Sequence, residues 1–148
     1  MDFRKQKMAK SLKKIKKIKY KVEELKPYSD KRGWFAEMLK EPELEKRIKQ
    51  VSVASTKPGQ VRGNHYHLNK TEWFMVVGGT AEFCLVDSTT EEKVCFRLSG
   101  KNPKVITVFP KIAHAIKNIG KKMIYFIEVD SAVYNHEKPD AVPYLIYK

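Results

Sequence analysis

From Ile18 onward the chain alternates apolar and polar residues with a period of two, in roughly ten short runs. Ile18, Tyr20 and Val22 open the series, interleaved with lysine and glutamate. Further runs read as strands over 34–39, 49–56, 61–67, 71–77, 80–87, 92–98, 104–109, 113–118, 123–130 and 142–147. Asp30-Lys31-Arg32-Gly33, Lys57-Pro58-Gly59, Gly78-Gly79 and Gly120-Lys121-Lys122 punctuate them as turns. The one stretch with helical spacing is Met8, Leu12 and Ile15, which predicts a short helix over 6–16, marginal on its own. Such a rhythm predicts an all-β sandwich or barrel.

One hairpin can be given a register. Pairing residues across Ser88-Thr89-Thr90-Glu91 sets Phe83 against Phe96, Leu85 against Val94 and Ala81 against Leu98 on one face. Glu82 then meets Arg97, and Cys84 meets Cys95, on the other. Two packed thiols are expected there, because a cross-strand bridge makes narrow geometric demands. The run from Glu72 to Val77 is apolar on both faces: Phe74 and Val76 share a face with Glu72, while Trp73, Met75 and Val77 point the other way. The expected covers are a second sheet and a partner subunit, so a homodimer is expected.

The net charge of +13 raises the question of nucleic acid. Its distribution answers it. Residues 1–21 hold ten basic side chains and one acid; the rest holds twenty against sixteen. The charge belongs to a basic N-terminal arm, residues 1–16, ahead of one domain over 17–148, and no nucleic-acid partner is expected. No apolar run approaches the ~18 residues of a membrane span, so no membrane insertion is expected. The basic N-terminus lacks the apolar core of a signal peptide, so a cytoplasmic location with reduced thiols is the expectation.

Chemistry concentrates in Gly59-Gln60-Val61-Arg62-Gly63-Asn64-His65-Tyr66-His67, followed by Glu72 and Gly79. On a strand, His65 and His67 aim two imidazoles to one side. Imidazole with carboxylate is a common ligand set for a catalytic divalent metal. A second cluster, Pro110-Lys111-Ile112-Ala113-His114 with Asn118, follows. Together these resemble the two motifs of the cupin family, although the second lacks the glycine after its proline and is one residue short. The resemblance implies a double-stranded β-helix, or jelly roll, with His65, His67, Glu72 and His114 as metal ligands. Zinc is expected first, with iron, manganese or nickel as alternatives. His136 fits no ligand position.

The likeness narrows further. Asp30-Lys31-Arg32-Gly33-Trp34-Phe35-Ala36-Glu37 and Arg62-Gly63-Asn64-His65 resemble stretches of the dTDP-4-dehydrorhamnose 3,5-epimerases. Gln50-Val51-Ser52-Val53, Thr56 to Gly59, Arg62 to His67 and Asn135 to Asp140 are similar to the C-terminal cupin domain of bifunctional enzymes of UDP-N-acetyl-L-fucosamine synthesis. The implied substrate is a nucleotide-linked 4-keto-6-deoxyhexose, epimerised at C3 or at C3 and C5. Arg62 is expected to hold a phosphate, with Arg32 and Glu37 as further substrate-binding residues. The epimerase pattern makes His65 the base, yet a metal-bound imidazole is a poor base. Tyr66, Tyr134 and Glu37 are therefore alternative bases, and Tyr134 and Tyr125 are candidates for the family's catalytic tyrosine. Three readings stay open: an epimerase, a 3,4-ketoisomerase on the same substrates, and a non-catalytic sugar-binding cupin. A dioxygenase is a weaker fourth, because the same ligands suit iron.

Overall fold

A computed structural model describes residues 17–40 and 48–148. The expected N-terminal helix lies outside the described residues. Among the described residues there are twelve strands: β1 (Lys21–Glu24), β2 (Tyr28–Asp30), β3 (Gly33–Phe35), β4 (Gln50–Thr56), β5 (Val61–His67), β6 (Glu72–Gly78), β7 (Thr80–Asp87), β8 (Lys93–Ser99), β9 (Lys104–Val108), β10 (Ile112–Asn118), β11 (Ile124–Asp130) and β12 (Ala141–Pro143). They form two antiparallel five-stranded sheets, β1-β9-β6-β11-β4 and β12-β5-β10-β7-β8, and a small β2-β3 ribbon. The expected jelly roll is what the chain forms. Among the described residues no helix is long and apolar enough to cross a membrane.

The main core lies between the sheets. Phe74, Val76, Ile106, Val108 and Phe126 from one meet Ala81, Phe83, Leu85, Leu98 and Ile116 from the other. Alternation dictates this, since each strand sends every second side chain inward. The β7-β8 register is the expected one at every pair, including Phe83 with Phe96 and Glu82 with Arg97.

Four expectations need correction. Cys84 and Cys95 are joined in a disulfide, with Cα atoms 4.1 Å apart. They are direct partners in the β7-β8 register, and that close spacing brings the two sulfurs within bonding reach. The outward face of β6 is covered by the chain itself, not by a partner subunit: Trp73 and Met75 pack under Leu25, Met38, Leu39 and Ile48. The expected strand over 34–39 stops at Phe35 and pairs with Tyr28–Asp30, an element that Pro27 obscured by breaking the alternation. The last strand is residues 141–143; Pro143 has no N–H to continue the ladder, and the tail beyond it is held by a side chain instead.

Candidate functional site

The site is built from both sheets at one end of the barrel. β5 supplies His65 and His67, and β10 supplies His114, which pairs directly with His65. β6 supplies Glu72, and β11 supplies Asp130, its direct partner, and Glu128. The register between β5 and β10 shifts just after His114. Asn64 is the extra residue of this bulge and sits in the left-handed region at φ 57°, which asparagine tolerates. The bulge turns His65 toward His67 and His114. Gly63 is required beside it: at φ +93°, a β-carbon there would sit 2.6 Å from the His114 carbonyl oxygen.

The bulge is clamped by the tail. Asn64 Oδ1 accepts from the N–H groups of Ile146 (3.0 Å) and Tyr147 (3.1 Å), and Asn64 Nδ2 donates to the Tyr147 carbonyl. Just before β12, Asp140 reaches His67 Nδ1 at 2.8 Å. This bond puts the proton of neutral His67 on Nδ1 and turns the Nε2 lone pair inward.

Three side chains of the cluster are almost fully buried: Glu72 is 1% exposed, His114 4% and His67 5%. His67 Nε2 lies 3.3 Å from Glu72 Oε1, and His114 Nε2 lies 3.4 Å from Glu72 Oε2. The three histidines offer ring nitrogens within 4.8 Å of one another. Lys70, also buried, lies 3.5 Å from Glu72 and 3.2 Å from Asp130.

Burial and charge set the protonation states. Burial, with the neighbouring His114 and His67, pushes His65 down to about 4, so it is neutral near pH 7. Burial likewise lowers His114. Burial pulls His67 down too, but the hydrogen bond and charge of Glu72 together with Asp140 outweigh it and raise the net value. Glu72 is driven far below the usual carboxylate range: burial opposes this, but His114, His67 and Lys70 prevail. Glu128 goes the other way, pushed up to about 8 by burial and by the negative charges of Glu72 and Asp130.

His67, His114 and Glu72 have the spacing of ligands to a divalent metal, with the His65 ring beside the two imidazoles. Two ligands each ~2.05 Å from a tetrahedral zinc stand about 3.3 Å apart, which matches both imidazole–carboxylate distances. Glu72 Oε1 is buried with only the longer contacts to His67 Nε2 (3.3 Å) and Lys70 Nζ (3.5 Å). A cation between the imidazoles and the carboxylate would compensate the buried charge.

Above the cluster opens a cavity of about 190 Å³ lined by Arg62, Gly63, His65, His114 and Glu128 with the apolar Ala54, Phe74, Ile116 and Phe126. Arg62 stands in this wall, its Nε donating to the Ser55 carbonyl at 2.9 Å. The other expected residues lie elsewhere. Tyr66 alternates to the opposite face of β5, beside Tyr144. Tyr134 is exposed and packs on His136, and Tyr125 is exposed on β11. Arg32 is fully engaged with Asp30 on the ribbon, and Glu37 pairs with Lys40. The residues missed from sequence are Glu128, Lys70, Asp130 and Asp140. For Glu128 and Asp130 the signal was present: with Phe126 they share the inward face of an otherwise apolar strand.

The family model described as "Polysaccharide biosynthesis C-terminal domain" matches residues 28–142. A UDP-2-acetamido-2,6-beta-L-arabino-hexul-4-ose reductase of Pseudomonas aeruginosa is 33% identical over 76% of this chain, which spans only 29% of that protein. The crystal structure of the capsular polysaccharide assembling protein CapF of Staphylococcus aureus shares 30% identity, with a TM-score of 0.65 over 82% of this chain and 34% of its own. The dTDP-6-deoxy-D-glucose-3,5-epimerase RmlC of Legionella pneumophila, solved with dTDP-4-keto-L-rhamnose, is 26% identical. Its TM-score is 0.72 over 80% of this chain and 70% of its own.

Proposed function

Because the chain belongs to the polysaccharide biosynthesis C-terminal domain family, we propose that it is a metal-binding epimerase. Its substrate is a nucleotide-linked 4-keto-6-deoxyhexose, inverted at C3 or at C3 and C5, in surface polysaccharide biosynthesis. The observation that carries this reading is the meeting of three imidazoles and a buried carboxylate beneath a small cavity whose wall holds Arg62 and Glu128. The epimerase relative with the same fold supports the reaction class.

His65, His67, Glu72 and His114 are the proposed ligands. Zinc suits three imidazoles and a carboxylate, and iron, manganese and nickel accept the same donors. A divalent metal there supplies Lewis-acid polarisation of a ketone. The ketone acidifies the neighbouring C–H; a base must take that proton from one face, and a donor on the other face must supply one in its place. With His65 and His114 committed as ligands, Glu128 is the remaining carboxylate of the cavity wall. Ionised Glu128 accepts the proton from carbon on one face, the electron pair left behind moves toward the ketone oxygen, and inversion is completed by a proton delivered to the other face from solvent water as the ketone re-forms. Arg62, fixed by Ser55, holds a phosphate of the substrate at the cavity wall.

Incubation with a nucleotide-linked 4-keto-6-deoxyhexose in D2O, followed by proton NMR, separates the readings. Deuterium at C3 or C5 with inversion is the expected result. A migrated carbonyl would establish the ketoisomerase instead. Tight binding with no exchange would leave a sugar-binding cupin.

A further inference from the structure

The two ends of the disulfide differ in access. Cys95 is exposed, whereas Cys84 is 0% exposed and lies against Tyr147 of the C-terminal tail. The Tyr147 hydroxyl stands 3.2 Å from Cys84 Sγ and donates to Glu82 Oε1, which is itself 3.8 Å from that sulfur. The ammonium groups of Lys93 and Lys117 lie 5.9 and 5.5 Å from the centre of the Tyr147 ring. A bridge with one exposed sulfur is open to an incoming thiolate, and positive charge near the other sulfur helps it to leave.

Tyr147 also reaches the histidine cluster. Its N–H donates to Asn64 Oδ1 at 3.1 Å, and its carbonyl accepts from Asn64 Nδ2 at 3.1 Å. Asn64 is the bulge residue that precedes His65, and the His65 ring lies 4.9 Å from that of His67 and 4.8 Å from that of His114. One residue thus has its side chain on the disulfide and its backbone on the bulge. Two unbonded sulfurs stand further apart than two bonded ones. Because Cys84 is enclosed, its displaced sulfur presses on the hydroxyl beside it. Reduced Cys84 also gains an S–H that faces Glu82 Oε1, the oxygen that the Tyr147 hydroxyl uses.

We propose that Cys84–Cys95 is a thiol–disulfide exchange site whose redox state sets the seating of His65 through Tyr147 and Asn64. The reductant is a small dithiol. Its thiolate attacks Cys95 Sγ, the bond between Cys84 and Cys95 breaks, and Cys84 leaves as a thiolate that takes up a proton. The second thiol of the reductant then displaces Cys95 and closes the reductant's own disulfide. Two electrons pass to the protein, and the reductant's two thiol protons are matched by those gained at Cys84 and Cys95. The inference concerns the packing around His65 and stands whether or not the histidines hold a metal.

Dithiothreitol and NMR test it, with EDTA present so that no bound metal contributes. Iodoacetamide should label both cysteines of the folded protein after dithiothreitol treatment and neither before it. On reduction, resonances of the Tyr147 backbone, the Asn64 side-chain amide and the His65 ring should shift together. Resonance positions report native packing, so they are separate from the stability lost with the bridge. C95A, altered at an exposed position, leaves Cys84 as a permanent thiol and should show the shifted positions with or without dithiothreitol. Y147F keeps the ring and loses the hydroxyl. It should be reduced as readily as wild type, while the shifts at Asn64 and His65 on reduction disappear. Resistance of the folded protein to dithiothreitol, unfolding on reduction, unmoved Asn64 and His65 resonances in reduced wild type or C95A, or full shifts in Y147F would each overturn the proposal.

Discussion

Asp140 reaches His67 from a loop and fixes which nitrogen of that ring faces Glu72. Metal affinity should therefore depend on both residues. Elemental analysis of protein purified without added metal should find about one divalent ion per wild-type chain and none in His67→Ala. Asp140→Ala should keep the ion but bind it about 10–100-fold more weakly in a chelator competition. The meeting of His65 and His67 was legible because alternation alone places them on one side of a strand. Asp140 was not, since its position depends on β12 returning alongside β5. Glu128 was overlooked for a different reason. Its place on the face of Phe126 and Asp130 was readable from alternation, but only the β6-β11 register brings it beside Glu72.

At the scale of elements, the β5-β10 bulge carries the geometry of the site, and Gly63 is its narrowest point. Gly63→Ala forces a β-carbon into the His114 carbonyl from a left-handed backbone. It should cost roughly 1–3 kcal/mol in urea denaturation and weaken metal binding as well, because His114 must shift. The tail that clamps the bulge ends at Tyr147, whose hydroxyl donates to Glu82 beside the disulfide and lies under Lys93 and Lys117. Burial first, and then the hydrogen bond and charge of Glu82, raise the Tyr147 phenol above its ordinary value. The unfolded chain releases this proton first as pH rises past about 10. The stabilisation is thus complete below that pH and is lost above it. Melting temperatures across about pH 8–11 should fall more steeply for wild type than for Tyr147→Phe. The β7-β8 hairpin was readable pair by pair because every cross-strand partner is chemically matched. The disulfide was not, because register brings two cysteines together without deciding their oxidation state. It closes a short loop, with the cysteines 11 residues apart, so reduction should lower stability by about 3 kcal/mol.

At the scale of the molecule, function sits at the seam of two sheets. β5 and β10 bring imidazoles, β6 and β11 bring carboxylates, and the core between Phe74, Phe83 and Phe126 holds the two sets at their distance. The jelly roll was legible because strand rhythm and turn chemistry agree along the whole domain. The second core was not: the outward face of β6 is sealed by Leu25 and Ile48, which lie outside any strand run, and by Met38 and Leu39, which the sequence places in a strand that in fact stops at Phe35. In the function proposed, the cavity over the histidines exchanges a proton with carbon and Glu128 carries it. Its most direct test is deuterium incorporation into a nucleotide-linked 4-keto-6-deoxyhexose in D2O, comparing wild type with Glu128→Gln at equal metal content. The account predicts exchange at the carbon beside the ketone for wild type and a rate about 10²–10⁴-fold lower for Glu128→Gln. No exchange by wild type, or exchange by Glu128→Gln at the wild-type rate, would contradict it.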